Sequence, residues 1–476
     1  MPHRTSGLAV RATALERWSW ASYDFANTIF SMNVATLYFS VWLVSDLGAS
    51  SMVYGAASAL AAVIVAVSIP VLGAVSDARR RRKPWVVWFT VVCCVACVAI
   101  GILGQRSLPL VGAEVLTPQP VPMAWHPGFA ELKWVLLAFV IANASYQAAL
   151  PFYNAMMPDL VPGDEQGRLS GFGTALGYLG AIFGVLLVVP FFNHALPMIG
   201  PLGDGTMHVL RRLVPYTEHG GRVSTFVPTG ILFFVLSLPL ILFCRDHAPV
   251  VVRARVAWRE AFAEVAHTLR DARRHPGALR FILTSFLYQD AVGTIIGFMA
   301  LYAVKAVGFE HGAETTLFVV LTIPAIFGSY LAGWLVDWIG ARRTLQLTLL
   351  SWIVLLIGLI VVPSRTAFWA IGLLIGLVFG GVPTAERPVL LSLVPQEEAG
   401  RYFSLMLLSA RAAAVLGPVI WGLTVDSLEP SFGTSIAYRS AVGTVALMFV
   451  GAAILLRGVP DRPVRTTIPA EPGLYA

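Results

Sequence analysis

The chain has 476 residues, of which 57% are hydrophobic and only 12% are charged, and its formal net charge is +7. Soluble domains carry about 25% charged residues, and disordered chains combine low hydrophobicity with high charge, so this composition excludes both classes. The basic balance does not indicate nucleic-acid binding, because Lys and Arg in membrane proteins mainly mark orientation. We therefore predict an all-α protein that crosses a membrane several times.

Hydrophobic runs of membrane-spanning length occur twelve times, and each predicts one transmembrane helix. Of the 33 Lys and Arg residues, 23 fall on the side of both termini, eight on the opposite side and two inside the runs. Because basic residues concentrate on the cytoplasmic side, we expect a multi-pass protein of the cell (inner) membrane with both termini in the cytoplasm. The runs lie near 18–44, 51–76, 84–104, 133–156, 169–193, 224–244, 279–304, 314–338, 344–363, 366–393, 402–425 and 437–457.

The longest charged connection, 245–278, separates six runs from six. Its apolar residues Trp258, Phe262, Val265 and Leu269 recur at helical spacing and predict an amphipathic helix on the cytoplasmic membrane surface. A docking helix for a partner is the alternative interpretation. We predict an N-terminal six-helix bundle at 1–244, a linker at 245–278, a C-terminal six-helix bundle at 279–457 and a cytoplasmic tail at 458–476.

Three segments of the first half recur in the second half in the same order. Each half has six spans, an even number, so the two halves are predicted to run parallel and to be related by an axis along the membrane normal. The matched segments are 24–29 with 290–295, 73–77 with 333–337, and 160–168 with 393–401.

These repeats resemble those of the major facilitator superfamily. The loop 73–83 is similar to the superfamily's Gly-x-x-x-Asp-x-x-Gly-x-Arg-Lys loop, except that Arg80 replaces the second glycine, which the copy retains as Gly340. The segments 23–27, 154–162 and 176–180 resemble the bacterial relatives of the fungal vacuolar amino-acid effluxers, an unknown major facilitator group. The resemblance implies twelve helices in two bundles, and loops that change their contacts during transport. The implied gating residues are Gly73, Asp77, Arg81, Arg82, Gly333, Asp337, Arg342 and Arg343.

Ionisable and amide side chains inside the predicted spans are the candidates for a central transport site, because such groups are costly in a bilayer unless they face a cavity or a partner. Counting residues from the loops places the charged ones roughly 10 to 15 Å from the cytoplasmic face, at 1.5 Å per residue. The carboxylates are candidates to carry a coupling proton, and the arginines to bind an anion or carboxylate. A buried Glu386–Arg411 salt bridge and a purely structural role for both aspartates remain open alternatives. The candidates are Asp24, Asn27, Asn143, Gln147, Asn154, Asp290, Glu386, Arg387 and Arg411.

A secondary transporter is the function that these features favour. The chain's only lysines, Lys83, Lys133 and Lys305, do not supply the Gly-Lys-Ser/Thr of a phosphate-binding loop, which argues against a pump. Nothing suggests an enzyme, a metal site or a cofactor, and a channel or receptor is less favoured than a carrier. We expect a monomer in the lipid bilayer that exports or imports a small polar solute such as an amino acid, driven by protons in one hypothesis. A lipid, sugar or drug-like substrate is the alternative.

Overall fold

The computed structural model describes residues 12–461, apart from 48, 50, 80, 113–128, 194, 197–199, 218–220, 247–275, 309–312, 362–363 and 414–415. The predicted amphipathic helix of the linker, with Trp258 and its neighbours, lies outside the described residues.

Twelve long helical segments run through the described residues, in the order that the hydrophobic runs predict. Ten are long and apolar enough to cross a membrane, and the second span becomes the eleventh when its two bent parts are taken together. The eighth is a 27-residue helix. The predicted all-α, twelve-helix fold is therefore confirmed. The spans are Ala14–Val44, Ser51–Arg79, Lys83–Gly112, Phe129–Ala155, Gln166–Asn193, Arg222–Phe243, Pro276–Tyr302, Ala313–Ile339, Ala341–Val361, Arg365–Leu393, Gln396–Phe432 and Thr434–Arg457.

Several spans depart from a regular α-helix. The first continues from Ala14–Phe30 into π-helical turns at Ser31–Tyr38 and Trp42–Asp46, and the seventh ends in a π-helical turn at Ala303–Val307. These two spans are the matching first helices of the two halves, so the irregularity is repeated along with the sequence. Single π-turns in helices frequently mark functional sites.

Breaks and short elements complete the chain. The tenth span consists of Arg365–Phe379 and Gly381–Leu393, and the eleventh contains Ala399–Ala413 and Leu416–Phe432. The fourth is followed by the short helix Met157–Leu160. The 3₁₀ turns Gly163–Glu165, Arg222–Thr225 and Gln396–Glu398 lead into the α-helices of the fifth, sixth and eleventh spans. Outside the spans are the helix Asp204–Leu213 and a two-residue antiparallel ladder of β1 (Ala195–Leu196) with β2 (Gly200–Pro201).

The buried apolar side chains form two cores, one within the first six spans and one within the last six. Phe39 stacks on Phe139 at 3.9 Å in the first core, and Trp352 stacks on Phe449 at 5.1 Å in the second. Many large apolar side chains point outward instead, Trp338 being 69% exposed. Such a surface suits a lipid environment, where it carries no hydrophobic penalty.

The two halves pack closely where the fifth span crosses the eighth. A Cβ on Gly333 would lie 2.7 Å from the carbonyl oxygen of Gly167 and 3.1 Å from Gly171 Cα, which is too close for any larger residue. Gly73 of the second span has the equivalent position against the eleventh, where a Cβ would lie 3.1 Å from Gly400 O. These contacts mark one end of the molecule, which we call the Asp77 end because the second span finishes there.

Candidate transport site and gate

One ion pair joins the two halves inside the membrane-spanning region. Arg387 Nη2 of the tenth span lies 3.0 Å from Asp24 Oδ2 of the first, and their side chains are only 12% and 8% exposed. Counted from Ala14 and from Leu393, the pair lies roughly 10 to 15 Å from the Asp77 end, at 1.5 Å per residue. Each charge supplies the counter-charge that the other needs in an apolar surrounding.

Two aromatic rings hold the guanidinium from the first half. Trp20 and Tyr153 stack with their ring centroids 4.5 Å apart, and Arg387 Cζ lies 5.7 Å from each centroid. Trp20 Nε1 donates to the carbonyl of Tyr153 at 3.0 Å, and the Tyr153 hydroxyl donates to the carbonyl of Trp20 at 3.1 Å. This reciprocal pair locks the first span to the fourth and presents a cation-binding aromatic surface. Arg387 Nη1 is buried and has no hydrogen-bond partner among the described residues.

A row of glycines on the fifth span brings its backbone against the first span, beside the ion pair. A Cβ on Gly173 would lie 3.0 Å from Asp24 Oδ2, and one on Gly177 would lie 3.2 Å from Thr28 Oγ1. The carboxylate of Asp24 thus lies between a glycine backbone on one side and the guanidinium on the other. Any side chain at 173 would displace it.

The predicted amide side chains lie in the first and fourth spans. Gln147 Nε2 donates to Asn143 Oδ1 at 3.0 Å, and both side chains are buried. Asn27 Oδ1, Gln147 Oε1 and Asn154 Oδ1 are buried atoms without a hydrogen-bond partner among the described residues. Buried polar atoms are nearly always satisfied, so unused acceptors in the spans that carry Trp20 and Tyr153 are the expected property of a site that receives a polar molecule.

In the second half the carboxylates have partners that the sequence did not predict. Asp290 Oδ2 accepts a hydrogen bond from the backbone amide of Gly417 at 2.8 Å, at the start of the second helix of the eleventh span. Glu386 accepts a hydrogen bond from Gln289 Nε2. The proposed Glu386–Arg411 salt bridge is wrong, since Arg411 is exposed and no ion pair joins the two in the described part of the chain. Counting residues gives depth but not the direction of a side chain around its helix, and direction decides this pair.

At the Asp77 end, a carboxylate of the first half caps a helix of the second. Asp77 accepts hydrogen bonds from the backbone amides of Gly400 at 3.1 Å and Arg401 at 2.8 Å. These amides belong to the first turn of the helix Ala399–Ala413, whose exposed N–H groups and dipole favour a negative charge.

A carboxylate of the second half makes the equivalent contact with a helix of the first half. Asp337 of the eighth span accepts from the backbone amides of Gly167 at 2.8 Å and Arg168 at 3.0 Å, at the start of the fifth span. The repeated segments found in the sequence therefore meet crosswise, each Gly-x-x-x-Asp loop of one half capping the repeated helix start of the other. We refer to the two contacts as the carboxylate caps.

The basic residues near the caps have unequal positions. Arg82 is buried and contacts both halves, lying 3.2 Å from Asp159 and 3.6 Å from Asp77 and donating to the carbonyl of Gln396 at 2.5 Å. Arg81 is exposed.

The basic residues of the second loop do not join the halves. Arg342 donates to the carbonyls of Leu456 at 3.2 Å and Arg457 at 2.8 Å, and Arg343 pairs with Asp461 at 3.1 Å. These two arginines, predicted alongside Arg82 as gating residues, have their partners here within their own half, at the end of the twelfth span and just beyond it.

One more polar contact between the halves lies below the caps, where Ser170 Oγ donates to the carbonyl of Thr384 at 2.8 Å. The caps, this contact and the Asp24–Arg387 pair all lie between the Asp77 end and the middle of the spans. In this conformation the halves are closed together at the Asp77 end.

The family model described as the Major Facilitator Superfamily matches residues 24–418 and, a second time, residues 283–474. The first match alone covers most of the chain. The chain belongs to the Major Facilitator Superfamily.

Similar superfamily members come from bacteria and fungi. The MFS-type transporter YxiO of Bacillus subtilis is 21% identical over 93% of this chain and 94% of its own length. Autophagy-related protein 22-1 of Emericella nidulans is 23% identical over 56% of this chain, and the match spans 46% of that longer protein. The resemblance inferred from sequence segments is thereby confirmed.

Solved superfamily structures show the same fold. The transporter FucP in its outward conformation matches with a TM-score of 0.65 and 14% identity, covering 93% of this chain and 97% of that one. An outward-facing bacterial homologue of the iron transporter ferroportin matches with a TM-score of 0.62 and 13% identity, covering 94% and 99%. At these identities the likeness establishes the fold.

The aromatic surface of this superfamily member was missed from sequence. Trp20 precedes Asp24 by one helical turn, so the spacing already placed an aromatic ring on the same face as the carboxylate. Tyr153 is adjacent to the predicted Asn154, but nothing local indicates that its ring stacks on another span. The contact between Ser170 and Thr384 could not be predicted from sequence, because neither residue belongs to a recognisable motif.

Proposed function

We propose that this chain is a secondary transporter that moves a small polar solute carrying an anionic group by alternating access of two six-helix bundles. The observation that supports this most is the Asp24–Arg387 pair, which joins the two halves in the interior of the fold, while the first and fourth spans carry buried polar atoms without a hydrogen-bond partner among the described residues. A charged pair across a moving interface is stable in one conformation, and in the other conformation each charge needs a different partner. A bound solute that supplies such a partner favours one conformation, which couples solute binding to the conformational change.

We propose that the Asp77 end faces the cytoplasm of the cell, since it carries the excess of Lys and Arg. The carboxylate caps then close the cytoplasmic side, and the structure represents an outward-facing state. The outward conformations stated for FucP and for the ferroportin homologue support this orientation. Residues 1–244 and 279–457 are the two proposed moving units.

Arg387 is the proposed recognition group for the solute. A guanidinium binds a carboxylate through two parallel hydrogen bonds, and Arg387 Nη1 is buried without a partner. In the absence of solute, Asp24 is paired with this guanidinium, so the carboxylate of an incoming solute competes with Asp24 for it. An amino acid is the favoured solute, in line with the resemblance to vacuolar amino-acid effluxers.

Displacing Asp24 supplies a route to proton coupling. A carboxylate that loses its counter-charge in an apolar site takes up a proton more readily. We propose that Asp24, which the solute displaces from Arg387, is the residue that carries the coupling proton. Asp290 and Glu386 retain hydrogen-bond partners of their own and are the second choices for this role.

Counterflow in proteoliposomes tests the proposal. Vesicles preloaded with an unlabelled amino acid mixture should accumulate labelled external amino acid in a saturable manner, and Asp24→Asn should remove the dependence on pH. Arg387→Gln should abolish uptake, while Arg222→Gln should not, because the Arg222–Asp46 pair lies within the first half at the opposite end. Flux that never saturates would indicate a channel instead. Unchanged uptake in Arg387→Gln would remove the proposed recognition role.

A further inference from the structure

A groove of about 430 Å³ opens at the Asp77 end between the eighth, ninth and twelfth spans, away from the interface between the halves. Three arginines, Arg342, Arg343 and Arg457, border it together with Gln346 and apolar side chains of the ninth span. We call it the arginine groove. Nothing in the proposed transport cycle uses it.

The groove has more positive charge than its neighbours neutralise. Arg342 is held by the carbonyls at the end of the twelfth span and lies 3.6 Å from Asp461, which also pairs with Arg343 at 3.1 Å. Arg457 is exposed and has no ion pair among the described residues. Among the described residues, Arg342 and Arg343 therefore share one carboxylate and Arg457 has none, and the exposed Arg343 and Arg457 are accessible to a further anion.

An apolar track leads away from the groove along the ninth span. Its residues are spaced alternately three and four apart, so they form one stripe on the outer face of the helix. The stripe extends over roughly 20 Å at 1.5 Å per residue, close to the length of an acyl chain in one bilayer leaflet. Its members and their exposures are Leu347 at 50%, Leu350 at 40%, Val354 at 67%, Ile357 at 49% and Val361 at 67%.

Gln346 lies at the junction of the charged and apolar parts. Both its amide nitrogen and its amide oxygen are buried without a hydrogen-bond partner among the described residues. Buried amide atoms without a hydrogen-bond partner are rare in a folded protein unless a bound molecule supplies the missing hydrogen bonds. A phosphodiester in the groove supplies acceptor oxygens, and a glycerol hydroxyl supplies both a donor and an acceptor.

We propose that the arginine groove is a binding site for an anionic phospholipid. The phosphodiester headgroup contacts Arg343 and Arg457, and one acyl chain lies along the stripe that starts at Leu347. Basic pockets between spans at the cytoplasmic surface are suited to anionic headgroups. The combination of charge and a long apolar track favours a lipid over a soluble phosphate, which uses only the charged part.

The test is retention of phosphatidylglycerol by the purified full chain, measured by native mass spectrometry after equilibration in mixed phosphatidylglycerol and phosphatidylcholine. The full chain should retain phosphatidylglycerol in preference to phosphatidylcholine. The double variant Arg343→Gln, Arg457→Gln should retain at least tenfold less. Both side chains are exposed, so this variant should fold, and a thermal unfolding curve checks that it does.

The control is Arg212→Gln, Lys305→Gln, which removes the same net charge from exposed positions outside the groove and should retain the lipid fully. Equal retention of both lipids, or equal loss in both double variants, would overturn the proposal. Displacement by millimolar glycerol phosphate would assign the groove to a soluble phosphate. Retention that appears only after deletion of residues 462–476 would show that this segment, and not a lipid, occupies the groove.

Discussion

Asp77→Asn is the substitution that most directly tests the carboxylate caps. The charged carboxylate accepts two backbone hydrogen bonds, at 3.1 and 2.8 Å, and lies 3.6 Å from a guanidinium of Arg82. Hydrogen bonds to charged groups are worth about 1.5–3 kcal/mol and neutral ones about 0.5–1.5 kcal/mol, so the amide weakens the cap by about 2 kcal/mol. Because each 1.4 kcal/mol is tenfold, the population opened at the Asp77 end should rise roughly 30-fold.

Cysteine labelling measures that population. Ser170 is fully buried and donates across the interface to the carbonyl of Thr384 at 2.8 Å, just beneath the caps. A Ser170→Cys reporter should react with an impermeant maleimide only when the halves part at this end. In inverted vesicles, Asp77→Asn should accelerate labelling by about 10- to 30-fold, since the rate follows the open fraction when closing is fast. The four native cysteines are buried, which keeps the background low.

Asp46→Asn is the matched control, because Asp46 also pairs with an arginine, Arg222, but within one half and at the opposite end. It should leave labelling of the reporter unchanged. If Asp77→Asn and Asp337→Asn both label at the rate of this control, the caps do not hold the halves closed and the reasoning fails.

Three further sets of substitutions test local packing and hydrogen bonding. Gly180→Ala should lower thermal stability by about 1–3 kcal/mol, because its Cβ would lie 2.8 Å from a Cα of the first span, whereas Gly422→Ala, with open space around it, should not. Trp20→Phe and Tyr153→Phe should each cost about 1 kcal/mol of unfolding free energy, and a double-mutant cycle should show coupling between them. Asp290→Ala should destabilise by about 1–3 kcal/mol by leaving a buried backbone amide unpaired, while Asp290→Asn should restore most of the loss. Thermal or denaturant unfolding in detergent checks all three. Equal stability of the two glycine variants or of the two Asp290 variants, or strictly additive effects of Trp20→Phe and Tyr153→Phe, would contradict the assigned contact.

The sequence predicted the fold well because the signals for it are long and redundant. Twelve apolar runs and the distribution of basic residues each extend over the whole chain, so an error at one position changes little. The repeated segments found in the sequence, around Asp77 and Asp337 and around Arg168 and Arg401, are the four parts of the carboxylate caps.

The contacts that the sequence did not predict depend on the direction of each side chain around its helix axis and on partners far along the chain. Asp24 and Arg387 are separated by 363 positions, and neither the helical period nor the depth of each residue specifies that they face one another. The same missing information led to the incorrect Glu386–Arg411 pair. Short-range spacing within a helix could have placed Trp20 on the face of Asp24, although that prediction was not made, whereas spacing fails between helices because the rotation of each span is set by packing.

The two carboxylate caps are alike in geometry but differ in what supports them. Asp77 lies beside the buried Arg82, which also reaches Asp159 and the carbonyl of Gln396, so opening this side breaks a network that extends across both halves. In the described part of the chain, the ion-pair partner of Asp337 is Arg168, whose side chain is 67% exposed, and an exposed pair contributes little. The Asp337 cap is therefore the weaker one, and opening of the halves should begin between the fifth and eighth spans and reach the second and eleventh last.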